Sequence, residues 1–231
     1  MPAKPKEKPA KAAKAQKKPT AAGRSGATAA TASRAGGRRR ADGRSSKVAT
    51  RTLWLLRHAK TVTDPPPGGT DFDRVLAPRG RRDATALGKL FAGEGEGLGS
   101  AFTGVPRPTV ALVSPAARTR ATAELVLADM DQPPSYRFDE DLYGAEPDEV
   151  LAFLHELPDD VPAAMVVGHN PTAQALSQGL LSARDKKGQS LAVRSGFPTC
   201  ALGVYRFPAE HWADVTPRSA TLLTLIIPPF A

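Results

Sequence analysis

Cysteine occurs once in 231 residues, at Cys200. That excludes an internal disulfide and any multi-cysteine metal site, and it fits a reducing, cytoplasmic setting. No apolar run reaches the roughly 18 residues that a membrane-spanning helix requires, so no membrane partner is expected. Three chemical signatures are also missing: a Walker-type Gly-rich loop, an Asp-rich metal cluster and a Ser-centred nucleophile elbow. Acidic residues are almost absent from the first 51 positions, where only Glu7 and Asp42 stand against 15 Lys and Arg. Apart from Met1 and Val48, the apolar residues of that stretch are alanines, so it cannot bury a core.

This composition divides the chain into a disordered Lys/Arg/Ala/Pro-rich tail, residues 1–51, and a folded domain, residues 52–231. With 15 of the 32 basic and 2 of the 23 acidic residues in the tail, the domain keeps 17 basic and 21 acidic side chains. The tail therefore carries +13 and the domain −4, and the chain's pI near 9.9 belongs to the tail. The run "KPKEKPAKAAKAQKKP" is similar to a linker-histone tail, and a polycation of this kind suits nonspecific contact with nucleic acid. A solvated, solubilising extension and a targeting segment are the other readings of the same composition.

Three apolar runs in the domain end in the same way. "TLWLLRH" (52–58), "TVALVSP" (109–115) and "AAMVVGHNP" (163–171) each lead into polar residues and then a helix. The first is continuous rather than alternating, as expected for a strand covered on both faces. After the second, Ser114 is expected to cap a helix that starts at Pro115 and carries Arg118 in its first turn. After the third, Asn170 is expected to cap a helix that starts at Pro171, leaving His169 at the junction. Amphipathic helices are expected from Pro78, with Ala84, Leu87, Leu90 and Phe91 on one face, and over 147–157. Cys200 reads as a small buried residue in the penultimate of two C-terminal strands, which form a hairpin-like edge. The Gly-rich stretch 92–108 is expected as a mobile loop.

Strands alternating with helices imply an α/β fold with a mostly parallel sheet. Ligands bind at the carboxyl edge of such sheets. Neighbouring strands would bring Arg57, His58, Arg118 and His169 together on that edge. Two guanidinium forks and two imidazoles beside helix N-termini make an anion site that contains a nucleophile. Phosphoryl transfer without metal or cofactor follows as the economical chemistry.

These residues resemble the histidine phosphatase superfamily, and within it the SixA-like phosphohistidine phosphatases. The resemblance covers about 52–229. "LLRHAKT" is similar to the family's Arg-His signature, "DFDRVLAPRGRRDA" (71–84) to a stretch of this branch, "SPAARTRATAEL" (114–125) to the second-arginine helix and "VVGHNP" (166–171) to the second-histidine turn. The resemblance implies a three-layer, phosphoglycerate mutase-like sandwich. It also implies that His58 carries the phosphoryl group covalently while Arg57, Arg118 and His169 hold its oxygens. Arg74 is an expected substrate contact, with a salt bridge to Asp71 or Asp73 as the alternative. Glu140, in "DEDLYGA", is the candidate proton donor for an alkyl leaving group, with Asp139 and Asp141 as the fallbacks and an exposed acidic turn as the alternative. A phosphohistidine-bearing protein is the implied substrate; a small phosphomonoester, or a binding role in which the tail is the functional part, are the alternatives.

Overall fold

The computed structural model describes residues 49–93 and 102–230. The basic segment through residue 48, and its expected disorder, lie outside the described residues. The first strand begins one residue before the boundary that composition suggests, because Arg51 opens β1 (Arg51–Arg57). Its buried guanidinium donates to the carbonyls of Val161, at 3.2 Å, and Glu210. A buried cation needs such acceptors, and segments distant in the chain supply them.

The elements that follow are α1 (Pro78–Ala92), β2 (Val110–Val113), α2 (Ala117–Leu127), β3 (Ser135–Phe138) and α3 (Pro147–His155). After these come β4 (Ala163–Gly168), α4 (Thr172–Gly179), α5 (Lys186–Ser195), β5 (Leu202–Phe207) and β6 (Thr221–Ile226). The six strands form one sheet in the order β3-β2-β4-β1-β5-β6. The pairs β3–β2, β2–β4 and β4–β1 are parallel; β5 pairs antiparallel with both β1 and β6, so β5 alone runs against the rest. The C-terminal strands thus form the expected antiparallel pair, with β5 inside the sheet and only β6 on its edge.

Side chains alternate across the sheet and feed two cores. Leu53, Leu55, Leu112 and Val166 pack with α3, α4 and α5, whereas Trp54, Leu56, Val113 and Val167 pack with α1 and α2. The result is the three-layer α/β sandwich. Two close backbone approaches hold α1 in place. At Gly88 a Cβ would lie 2.8 Å from the Leu125 carbonyl oxygen of α2, and at Gly80 one would lie 2.0 Å from that of Lys60. The second approach seats the start of α1 on the loop that leaves β1.

Of the stretch 92–108, residues 94–101 lie outside the described residues. The remainder is not a free loop. Phe102 is buried and stacks on Trp54 with ring centroids 5.0 Å apart, and Trp54 Nε1 donates to the Pro106 carbonyl at 3.0 Å.

Candidate active site

Register brings the three strand ends level. Arg57 of β1 sits opposite Gly168 of β4, and Val167 opposite Val113 of β2. The residues that come next, His58, His169 and Ser114, therefore emerge together at the carboxyl edge. The backbone is tied there from both sides: His58 N–H donates to the Gly168 carbonyl, and Cys200 N–H to the His58 carbonyl, each at 3.0 Å. The Cys200 thiol is buried, which pushes its pKa up to about 12 and leaves it chemically quiet. Cys200 lies just before β5 rather than within it.

His58 and His169 face each other with ring centroids 5.2 Å apart. His58 Nδ1 lies 2.8 Å from the Ala59 carbonyl, which can only accept; Nδ1 therefore carries the proton and Nε2 holds the lone pair. Burial pushes the His58 pKa down to about 4, reinforced by the charges of Arg118, Arg57 and Arg74 and opposed by the bond to Ala59. His169 is held lower still, at about 3, by burial, His58 and Arg118, against the opposing charge of Asp71. Both rings are neutral at physiological pH. Arg118 Nε donates to His169 Nδ1 at 3.3 Å, and His169 Nε2 lies 2.7 Å from the Ser114 hydroxyl.

Ser114 is thus a partner of His169 and not a helix cap. Helix α2 begins later than expected, at Ala117, and its first residues take no side-chain cap. The reason is local competition: Ser114 is turned to His169, and its carbonyl accepts from Thr119 Oγ1 at 2.7 Å. Asn170 likewise does not cap α4. Its amide donates to the Phe197 carbonyl at 3.3 Å, Pro171 takes the cap position and the helix starts at Thr172.

Arg118, in the first turn of α2, is buried and clamped. Besides His169 it reaches the Asp71 carbonyl through Nη1, at 2.6 Å, and the Asp71 carboxylate through Nη2, at 2.9 Å. Three of the five N–H donors of a guanidinium are then engaged. The main chain of Arg118 is braced separately: Thr122 Oγ1 donates to its carbonyl at 2.6 Å and accepts from Ala59 N–H at 3.0 Å. Arg57 is half-buried and donates from Nη1 to the Phe197 carbonyl at 3.0 Å. The structure therefore gathers all four residues of the expected constellation.

The two outer candidates differ. Arg74 directs four of its N–H donors into the protein: to Thr61 Oγ1 at 2.7 Å, twice to the Val62 carbonyl at 2.8 and 3.1 Å, and to Asp71 at 2.8 Å. It braces the loop that follows His58, and its charge still reaches that ring. Glu140 is exposed at the start of a 3-10 turn (Glu140–Tyr143), and no hydrogen bond or ion pair joins it to the site among the described residues. Its neighbour Tyr143 is the residue that turns inward, 5.5 Å from the His169 ring, with its hydroxyl 2.9 Å from the Asp71 carboxylate.

Asp71 and Tyr143 were not expected in the site, and Ser114 was expected only as a cap. For Asp71 one signal was available, the three-residue spacing to Arg74 that lets the two side chains pair. A cavity of about 100 Å³ adjoins His169, lined by Tyr143, Glu146, Asn170 and Thr172 over an apolar floor of Leu55 and Val166. A larger one, about 470 Å³, opens at the amino end of β2 beside Arg107 and Met130, on the far edge of the sheet from these histidines.

The family model of the histidine phosphatase superfamily (branch 1) matches residues 53–145. The uncharacterized protein Rv1276c of Mycobacterium tuberculosis is 37% identical over 177 residues, spanning 75% of this chain and 99% of its own. Among solved structures, a candidate SixA phosphohistidine phosphatase from Nakamurella multipartitia is 32% identical with a TM-score of 0.59, covering 78% of this chain and 97% of that one. A second, from Agrobacterium tumefaciens, is 27% identical with a TM-score of 0.60 and covers 77% and 98%.

Proposed function

Because the chain belongs to the histidine phosphatase superfamily, in its SixA-like branch, we propose that it removes phosphate from phosphohistidine on proteins through a covalent intermediate on His58. One observation carries the reading. His58 is a neutral imidazole whose Nδ1 is bound to the Ala59 carbonyl, whose Nε2 has no partner among the described residues, and whose ring lies within a cluster of Arg57, Arg118 and His169. A bare imidazole nitrogen among fixed cations is a nucleophile that needs no base to activate it.

The chemistry proceeds in two displacements. Nε2 forms a bond to phosphorus as the bond to the leaving group breaks, and the electron pair leaves with that group. Arg57 and Arg118 stabilise the charge on the equatorial oxygens, where preformed donors cost no reorganisation. Water then displaces the phosphoryl group from Nε2, which regenerates neutral His58 and releases inorganic phosphate. The cations supply the charge neutralisation that a metal provides elsewhere, so turnover requires no divalent ion.

The nature of the leaving group favours phosphohistidine over an alkyl phosphate. An alkoxide needs a proton donor, and neither Glu140, the expected donor, nor Asp71, the carboxylate bonded to Arg118, supplies one. Glu140 stands away from the constellation, and hydrogen bonds from Arg74 and Tyr143 hold Asp71 ionised, with its pKa lowered to about 2. A phosphoimidazole that already carries a proton on its second ring nitrogen leaves as neutral imidazole without that help.

Incubation of the full chain with a phosphohistidine-bearing protein and a panel of phosphomonoesters, with and without chelator, tests the proposal. The expected result is chelator-insensitive release of phosphate from phosphohistidine and an acid-labile phosphoenzyme that is missing in His58→Ala. Full turnover by His58→Ala, or activity abolished by chelator, overturns the mechanism.

A further inference from the structure

One carboxylate in the site is held in a way the two-displacement scheme does not use. Asp71 Oδ1 accepts from Arg74 at 2.8 Å; Oδ2 accepts from Arg118 and from the Tyr143 hydroxyl, both at 2.9 Å. Placing an anion next to a phosphate-binding arginine opposes phosphate binding, so its presence requires a reason. Orienting Arg118 is part of one, but the Asp71 main-chain carbonyl, at 2.6 Å, already does that without a charge. The side chain also remains 54% exposed while making these bonds. A carboxylate has roughly four acceptor positions. Three are used, and the open one is on Oδ1, the oxygen that also accepts from Arg74, on a carboxylate exposed enough to be reached from solvent.

We propose that Asp71 sets the leaving-group preference of the site, accepting a hydrogen bond from the free ring N–H of a phosphoimidazole and so favouring phosphoryl groups on nitrogen over those on oxygen. This rests on the phosphatase reading above. A phosphoimidazole protonated on its second nitrogen carries positive charge on the ring. When His58 Nε2 bonds to phosphorus, the P–N electron pair passes to the departing nitrogen and the ring leaves as neutral imidazole. Its proton stays throughout on the nitrogen that faces Asp71, so no proton is transferred to or from the carboxylate. A fixed negative charge there stabilises the cationic, reactive form of the substrate. Toward an oxygen ester the same charge offers nothing, because an alkoxide or phenoxide leaving group develops negative charge and has no N–H to donate. The low pKa of Asp71 keeps the acceptor ionised over the whole physiological range.

The test is the ratio of kcat/KM for a phosphohistidine peptide to that for p-nitrophenyl phosphate, whose leaving group needs no proton donor. Asp71→Asn is nearly isosteric and keeps one acceptor oxygen, enough for Arg118 and Tyr143 on the Oδ2 side while the bond to Arg74 is given up. Any disturbance of Arg118 affects both substrates alike and cancels in the ratio. Loss of a charge-assisted hydrogen bond should lower the ratio by about tenfold or more, and Asp71→Glu, which retains the charge, should restore part of it. A ratio in Asp71→Asn within about fivefold of wild type, or no recovery in Asp71→Glu, overturns the inference and leaves Asp71 as a brace for Arg118. Wild-type turnover of p-nitrophenyl phosphate with none of the peptide overturns the phosphohistidine reading itself, and this inference with it.

Discussion

Replacing Arg118 by alanine separates chemistry from stability at this site. On the proposed mechanism the two N–H donors that Arg118 keeps free bond phosphoryl oxygens, together worth roughly 3–6 kcal/mol, or on the order of 10²–10⁴ in kcat/KM. The loss to the fold is smaller. The ion-pair partner, Asp71, is 54% exposed and regains water when the cation is removed, so that pair contributes no more than about 1 kcal/mol. The tie from Thr122 to Ala59 N–H and the Arg118 carbonyl is untouched. A total cost of about 1–2 kcal/mol would lower Tm by less than about 8 °C for a domain of this size. A third effect fixes the sign of a pH shift. The Arg118 charge lowers the pKa of both His58 and His169, so its removal should raise them and move the acid limb of kcat/KM upward. Arg118→Lys retains the charge without the fork; it should lose rate but leave the acid limb in place. Steady-state kinetics across pH with calorimetry on the three proteins provide the check. An Arg118→Ala rate within about tenfold of wild type, or an unmoved acid limb, refutes the reasoning.

The buried histidines should also set the acid stability of the fold. Their pKa values lie at about 4 and about 3, below the ordinary 6.5, so between 6.5 and about 4 the unfolded chain binds protons that the folded chain does not. Stability is then fully present above 6.5 and falls as pH drops through that window, by up to ~1.4 kcal/mol per pH unit for each ring. Tm measured from neutral pH to about 4 should fall less steeply in His58→Asn than in wild type; equal slopes would contradict the assignment. Gly80→Ala should destabilise by ~1–3 kcal/mol or more, because its Cβ would meet the Lys60 carbonyl oxygen at 2.0 Å. It should also depress kcat/KM through the displaced loop after His58, and a variant indistinguishable from wild type in Tm and rate would show that the approach relaxes freely. Glu140→Gln should change phosphohistidine hydrolysis by less than the ~10²–10⁴ of a lost general acid; a loss of that size in single-turnover rate would move Glu140 into the site.

Sequence by itself determined the frame of this protein. Continuous apolar runs that end in Arg57-His58, in Ser114-Pro115 and in His169-Asn170 reported the central strands and their functional ends, because side-chain burial and strand-end chemistry are local properties of the chain. The elements it did not reveal lack that local signal. Strand β3, "SYRF", is mostly exposed, and α5, "KKGQSLAVRS", buries only Gly188 and Ala192. Composition also assigned Arg51 to the tail, since a buried arginine is recognisable only once the carbonyls of Val161 and Glu210 are brought to it. Tertiary structure alone decided how the site is wired. Asp71 meets Arg118 across 47 positions and Tyr143 across 72, and Ser114 meets His169 across 55. Such bonds depend on strand register and loop path, which set side-chain distances to within an ångström and leave no trace in spacing along the chain. Ser114 and Asn170 show the consequence. Each has the chemistry of a helix cap, and each is claimed instead by a partner that only folding brings within reach.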